Sequence, residues 1–169
     1  RSLMYVESVV RFLFNVDDEG DRHLYSCSTS GSGLTKHSTH ERGQFSLSSG
    51  ATNIAAGVFT APDQPREIAV HILAGPRSGE LDLVTDVNGD DLDGTQHGQV
   101  EELRFPSPAD GTEIHGWVVK PPGFDPNRKY PLILQIHGGP HGMYGTDFSF
   151  ERQNHAAHDF VVLYTNPRG

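Results

Sequence analysis

The residues best placed to do chemistry are His137-Gly138-Gly139-Pro140-His141-Gly142, which follow directly on the apolar run Leu132 to Ile136. Two adjacent glycines free the main chain for conformations closed to other residues. At the carboxyl end of a buried strand, such a turn faces the crevice where open α/β sheets bind ligands. A main-chain N–H aimed into that crevice stabilises the oxyanion of acyl transfer. Gly139 is the candidate donor, and Gly138 supplies the freedom of the turn. The same residues also read as a plain strand-to-loop turn without chemistry. His137 and His141 flank the turn, but a general base needs an adjacent nucleophile and an orienting carboxylate. No Gly-x-Ser-x-Gly occurs, and Gly31-Ser32-Gly33 and Ser48-Ser49-Gly50 read as turns. A structural role is therefore expected for both histidines.

The elements that must position this turn follow from pattern. Leu132 to Ile136 is short, rich in branched residues and bounded by Pro131 and the glycines, which reads as a strand buried on both faces. Residues 148–158 place Phe150, Asn154 and Ala157 at helical spacing, with Ala156 beside them. Phe160 to Tyr164 is a second buried strand, stopped by Asn166-Pro167. Strand, helix and strand at this spacing make a parallel crossover unit. Ahead of it, Val100–Phe105 and Glu113–Val119 form a hairpin across Asp110-Gly111, ended by Pro121-Pro122.

Upstream the chain alternates short β-like runs with polar turns, at Val10–Val16, His23–Ser28, Gln44–Ser48, Asn53–Thr60 and Glu67–Leu73. That spacing suggests antiparallel meanders, as in a sandwich or propeller. Between the two parts, Asp82 to Gly98 is rich in Asp, Asn and Gly. Asp86-x-Asn88-x-Asp90 has the opening spacing of a calcium loop, but Asp91 replaces the glycine at its sixth position and His97 the glutamate at its twelfth. It reads as a solvated linker. His37-x-x-His40-Glu41 and His155-x-x-His158-Asp159 have ligand-like spacing outside any Cys/His-dense context, so no metal is expected at either.

Composition narrows the class. With 169 residues and 35% apolar content, 19 Gly and 11 Pro, the chain is turn-rich and β-rich. A net charge of −9 argues against nucleic-acid and anionic-membrane partners. No apolar stretch approaches the roughly 20 residues of a membrane span. Cys27 is the sole cysteine, which excludes an internal disulfide and fits a reduced, cytoplasmic compartment.

One resemblance unites these features. Asp110-Gly111, Gly116-Trp117-Val118-Val119-Lys120-Pro121-Pro122-Gly123-Phe124, Tyr130-Pro131, His137-Gly138-Gly139-Pro140-His141 and Asn166-Pro167-Arg168-Gly169 occur in order. Together they resemble the prolyl oligopeptidase family of serine peptidases (S9), nearest its acylaminoacyl-peptidase-like branch. The resemblance is specific over residues 98–169 and general over residues 1–97. It implies the N-terminal part of an α/β-hydrolase fold, truncated after about four strands, preceded by all-β propeller-like blades. The implied domains are 1–97, blades and linker, and 98–169, the start of the catalytic domain. The implied reaction is hydrolysis of short or N-acylated peptides through an acyl-enzyme, without cofactor, with a homo-oligomer left open. In the family the catalytic Ser, Asp and His come after the segment ending at Gly169, so these residues alone are expected to be inactive. One departure is His158-Asp159-Phe160, where the family turns from helix to strand through a glycine. The alternative is a non-catalytic binding or scaffold module derived from that fold.

Overall fold

Short apolar runs between Gly, Asp and Ser turns become strands along almost the whole chain. The computed structural model describes residues 3–7, 10–139 and 142–167. Two units separate: Arg1–Leu92 with Gly145–Phe148, and Asp93–Tyr144 with Ser149–Gly169. No helix among the described residues is long and apolar enough to cross a membrane.

The first unit holds two four-stranded antiparallel meanders. One contains β1 (Leu3–Val6), β2 (Arg11–Asp18), β3 (Asp21–Ser28) and β4 (Thr35–Lys36). The other contains β5 (Gln44–Gly50), β6 (Ile54–Ala61), β7 (Gln64–Ile72) and β8 (Leu81–Leu83). The β2–β3 reversal needs positive φ at both central residues, and Glu19 (φ 50°) and Gly20 (φ 93°) provide it. A single parallel bridge, Arg22 to Gln44, joins the meanders through their strands. Side chains do the rest. Asn15 on β2 donates through Nδ2 to the Phe45 carbonyl at 2.7 Å and accepts from the Leu47 N–H at 2.8 Å. Leu13, Leu24, Phe45 and Leu47 pack together in the core between them.

The segment Gly145–Phe148 belongs to this unit although it comes late in the chain. The Thr146 N–H donates to the Gly20 carbonyl at 3.0 Å, and its hydroxyl donates to Asp21 Oδ1 and accepts from the Gly43 N–H. The Phe148 N–H donates to Thr60 Oγ1 at 3.1 Å.

The expected linker stays largely exposed, but its first half is held against β7. It begins in β8 and contains a one-turn helix, α1 (Gly89–Leu92). The cause is Glu67, an almost fully buried carboxylate on the inward face of β7. It accepts from the Thr85 hydroxyl, the Val87 N–H at 2.9 Å, the Asn88 N–H at 3.3 Å and the Asn88 side-chain amide at 3.0 Å. A buried carboxylate persists only when such donors replace its water.

The second unit is a four-stranded sheet with β11 (Leu132–Gln135), β12 (Val161–Asn166), β10 (Glu113–Lys120) and β9 (Gln99–Pro106) in that spatial order. β11 and β12 are parallel and the other pairs antiparallel, with α2 (Phe150–Ala157) in sequence between the parallel strands. Among the described residues β11 pairs only with β12, and Leu132, Leu134 and Ile136 are exposed while Ile133 turns to the core. One expectation needs correction. The buried face of α2 is Arg152, Gln153 and Ala156, whereas Phe150 is 72% exposed and Asn154 is exposed. Gln153 is inward because its amide accepts from the Gly98 N–H at 2.7 Å and donates to the Gly98 carbonyl at 3.2 Å. Where the family has a glycine, Asp159 takes the left-handed conformation itself, at φ 64°, with its carboxylate held by Arg128 at 2.8 Å. Aspartate is among the few residues that visit this region at modest cost.

Hydrogen bonding by the 85–88 segment, chiefly from Thr85, holds the Glu67 carboxyl below its ordinary range. A depressed carboxylate adds stability above its unfolded value of about 4.3, and that stability is lost as the pH falls through the folded value. Glu67→Gln should therefore lower the urea midpoint of the first unit at pH 7, with the deficit shrinking towards pH 3. An equal deficit at both pH values would contradict this account.

Candidate functional site

The glycine turn leaves β11 and rests on a layer of polar and aromatic side chains from three elements. Arg152 is the centre of that layer. α2 starts at Ser149, whose hydroxyl accepts from the Arg152 N–H, and this places residue 152 in the first turn facing the sheet. Its guanidinium lies 3.8 Å from the Tyr164 ring centroid and 4.9 Å from that of Tyr144. Its Nε donates to Gln135 Oε1 at 3.0 Å, which fixes the last residue of β11. Stacked contacts with electron-rich rings compensate a buried cation without a carboxylate. The aromatic layer continues from Tyr164 to Trp117, stacked at 5.4 Å.

The far end of the turn is clamped by Asn166. Its Oδ1 accepts from the Tyr144 N–H at 2.8 Å, and its Nδ2 donates to the Tyr144 carbonyl at 3.0 Å. Both main-chain groups of Tyr144 are thus held by one amide at the end of β12. The Tyr144 ring packs edge-on against His137 at 5.4 Å and Tyr164 at 5.3 Å.

Within the turn, the His137 Nδ1 lies 2.8 Å from the Gly138 carbonyl oxygen. A Cβ on Gly142 would stand 2.6 Å from that same oxygen, so only glycine fits there. The Gly138 carbonyl thus points inward across the turn. In a trans peptide the next N–H points the opposite way, and this directs the N–H of Gly139 away from the turn. Gly139 itself is exposed. Gly138 has neither positive φ nor any neighbour within 4 Å of a Cβ, so the close approach that demands glycine is at Gly142. Pro140, His141, Arg168 and Gly169 lie outside the described residues, and with them the reading of His141.

Arg152 and Tyr144 were not singled out by sequence reasoning, and Gly142 was named only as the end of the turn. Gly142 alone left a signal, as a third glycine within five residues. The histidine pairs do not form ligand sets. His37 Nε2 pairs with the Ser26 hydroxyl at 2.8 Å, and His158 Nδ1 with the Asn154 carbonyl at 2.8 Å. No group of three or more His, Cys, Asp or Glu among the described residues is arranged to hold a metal ion.

No family model matches the chain. Individual relatives do. An uncharacterized peptidase, YuxL, of Bacillus subtilis is 37% identical over 125 residues, which are 74% of this chain and 18% of that protein. Dipeptidyl-peptidase 5 of Arthroderma otae is 47% identical over 60 residues, 34% of this chain and 8% of that protein. Among solved structures, acylaminoacyl peptidase of Pyrococcus horikoshii superposes at TM-score 0.74 with 25% identity, covering 94% of this chain and 24% of that one. Its uncomplexed form gives TM-score 0.79 over 99% of this chain and 24% of that one, at 24% identity. The chain belongs to the prolyl oligopeptidase family. It spans less than a fifth of the curated relatives it matches and about a quarter of the solved chains. The solved structures cover both units of this S9 chain, so the likeness takes in the two meanders as well as the four-stranded sheet.

Arg152→Met should cost the second unit about 2 kcal/mol, because two ring contacts and the bond to Gln135 are lost while a buried Nη1 without an acceptor is removed. Hydrogen exchange of β11 and β12 in the full-length protein measures this loss. Unchanged protection there would mean that the arginine does not hold the turn.

Proposed function

We propose that this chain is part of a serine-type peptidase that cleaves short or N-acylated peptides through an acyl-enzyme. In this reading the four-stranded sheet opens an α/β-hydrolase domain, and the two meanders are blades of a β-propeller. The observation that carries it is the exposed Gly139 beyond the carboxyl end of a parallel strand, on a turn whose Gly138 carbonyl faces inward. Its N–H serves as an oxyanion donor, with the nucleophile, acid and base supplied by residues outside this sequence. The peptidase relatives support the reaction class, and the acylaminoacyl peptidase likeness supports the substrate class. The hairpin followed by a crossover, in the order β9, β10, β12, β11, supports the fold.

In this division of labour the segment contributes positioning and charge stabilisation only. A donor that is fixed before reaction costs no reorganisation as the oxyanion forms. The Arg152 layer and the Asn166 clamp supply that fixity. The meanders restrict entry to short or unstructured peptides.

Labelling with a fluorophosphonate tests the reaction class. The full-length protein should be labelled and should hydrolyse an N-acetylalanyl or a dipeptidyl p-nitroanilide, and both should be blocked by prior inhibition. A verified 169-residue chain should show no inhibitor-sensitive turnover. Absence of labelling and of turnover in the full-length protein would favour the non-catalytic module, and activity in the 169-residue chain would place the nucleophile within it.

A further inference from the structure

The first unit packs three histidines in a row, His23 and His71 buried and His40 half-buried. His23 stands on β3, His40 in the loop between β4 and β5, and His71 on β7. The His23 and His40 ring centroids are 4.7 Å apart, and those of His40 and His71 are 5.8 Å apart. Phe59 and His40 form a T-shaped pair at 5.3 Å, and Phe45 and His71 another at 4.6 Å. His71 is fully buried and His23 nearly so. The row therefore runs from one meander to the other, beside the single parallel bridge that joins their strands.

Among the described residues, five ring nitrogens in this row make no hydrogen bond of ordinary geometry: Nδ1 of His23, and both nitrogens of His40 and of His71. Neutral imidazoles tolerate such surroundings far better than cations do. The charged groups facing the row offer little relief. Asp18 and Asp21 favour a cation at His23, and Asp21 also at His40, but Lys36 opposes both. Asp21 is already engaged, accepting from the Gly43 N–H at 2.8 Å and from the Thr146 hydroxyl. The main chain of Arg22 favours a cation at His40, and that of Glu80 does so at His71, while the nearby His37 opposes one there.

We propose that His23, His40 and His71 form an acid-sensitive lock between the two meanders, which opens when one of the rings takes up a proton. A cation in the row meets neighbouring imidazoles and two phenyl rings in place of the water that would solvate it. The ring contacts in the row would then be replaced by repulsion, weakening a junction otherwise held by Asn15, the Arg22–Gln44 bridge, the hydrogen bonds of Arg22 to Gly43 and Ser46, and the shared apolar core.

Burial above all, and then the adjacent ring, hold His40 and His71 down to about 4. Burial and Lys36 lower His23 as well. The unfolded chain binds these protons near 6.5. Stability from the row is therefore complete above that value and declines as the pH falls towards 4. Between pH 7 and pH 5 the unfolding constant of the first unit rises about twentyfold for each of His40 and His71.

Hydrogen exchange of the full-length protein at pH 7 and pH 5, corrected for intrinsic exchange rates, tests the lock. Peptides from β3, residues 36–43 and β7 should lose at least tenfold in protection at pH 5, while β9 to β12 change little. His40→Gln and His71→Leu should each reduce that pH response, and His155→Gln in the second unit should leave it intact. Wild-type protection in β3 and β7 that does not change with pH overturns the proposal, whether or not the variants fold. So does a full pH response that persists in both variants.

Discussion

A buried arginine with no carboxylate partner among the described residues organises the second unit. Arg152 reaches β11 through Gln135, β12 through Tyr164 and the glycine turn through Tyr144. Each of these contacts requires α2 to present the same face, and the Ser149 cap sets where that face begins. Were α2 rotated to bury Phe150, the guanidinium would leave the rings and the end of β11 would lose its anchor. The polar face is buried because each group on it finds a specific partner, as Gln153 does on both main-chain groups of Gly98.

The same logic recurs in the first unit. β7 turns Glu67, Ala69 and His71 inward and leaves Ile68 half exposed. Glu67 gathers the 85–88 segment, Asn15 ties β2 to β5, and the histidine row fills the space between the meanders. Hydrophobic burial by Leu13, Leu24, Phe45 and Leu47 provides the bulk of the core. The polar groups decide which segments lie against it, since each is costly to bury in any other arrangement.

This division explains what could be read in the sequence. The β9–β10 hairpin, the crossover and the five principal strands upstream were legible, because apolar runs and turn residues mark strands regardless of what they pack against. The edge strands β1, β4 and β8 were not, being two to four residues long. The face of α2 was misread because its polar residues Arg152 and Gln153 point inward. At the site, the turn was located from Gly138 and Gly139, but the need for glycine at 142 depends on a carbonyl brought close by folding. Asp159 shows the reverse case, in which a left-handed position is filled by a residue whose side chain finds an arginine.

The account turns on the N–H of Gly139 and its role in stabilising negative charge during acyl transfer. The most direct measurement is steady-state hydrolysis by the full-length protein carrying Gly139→Pro, with folded content matched by circular dichroism. Proline removes the donor outright. The account predicts a kcat lower by about a hundred- to thousandfold, the known worth of one oxyanion donor, with KM little changed. A well-folded Gly139→Pro protein with near-normal kcat would contradict it.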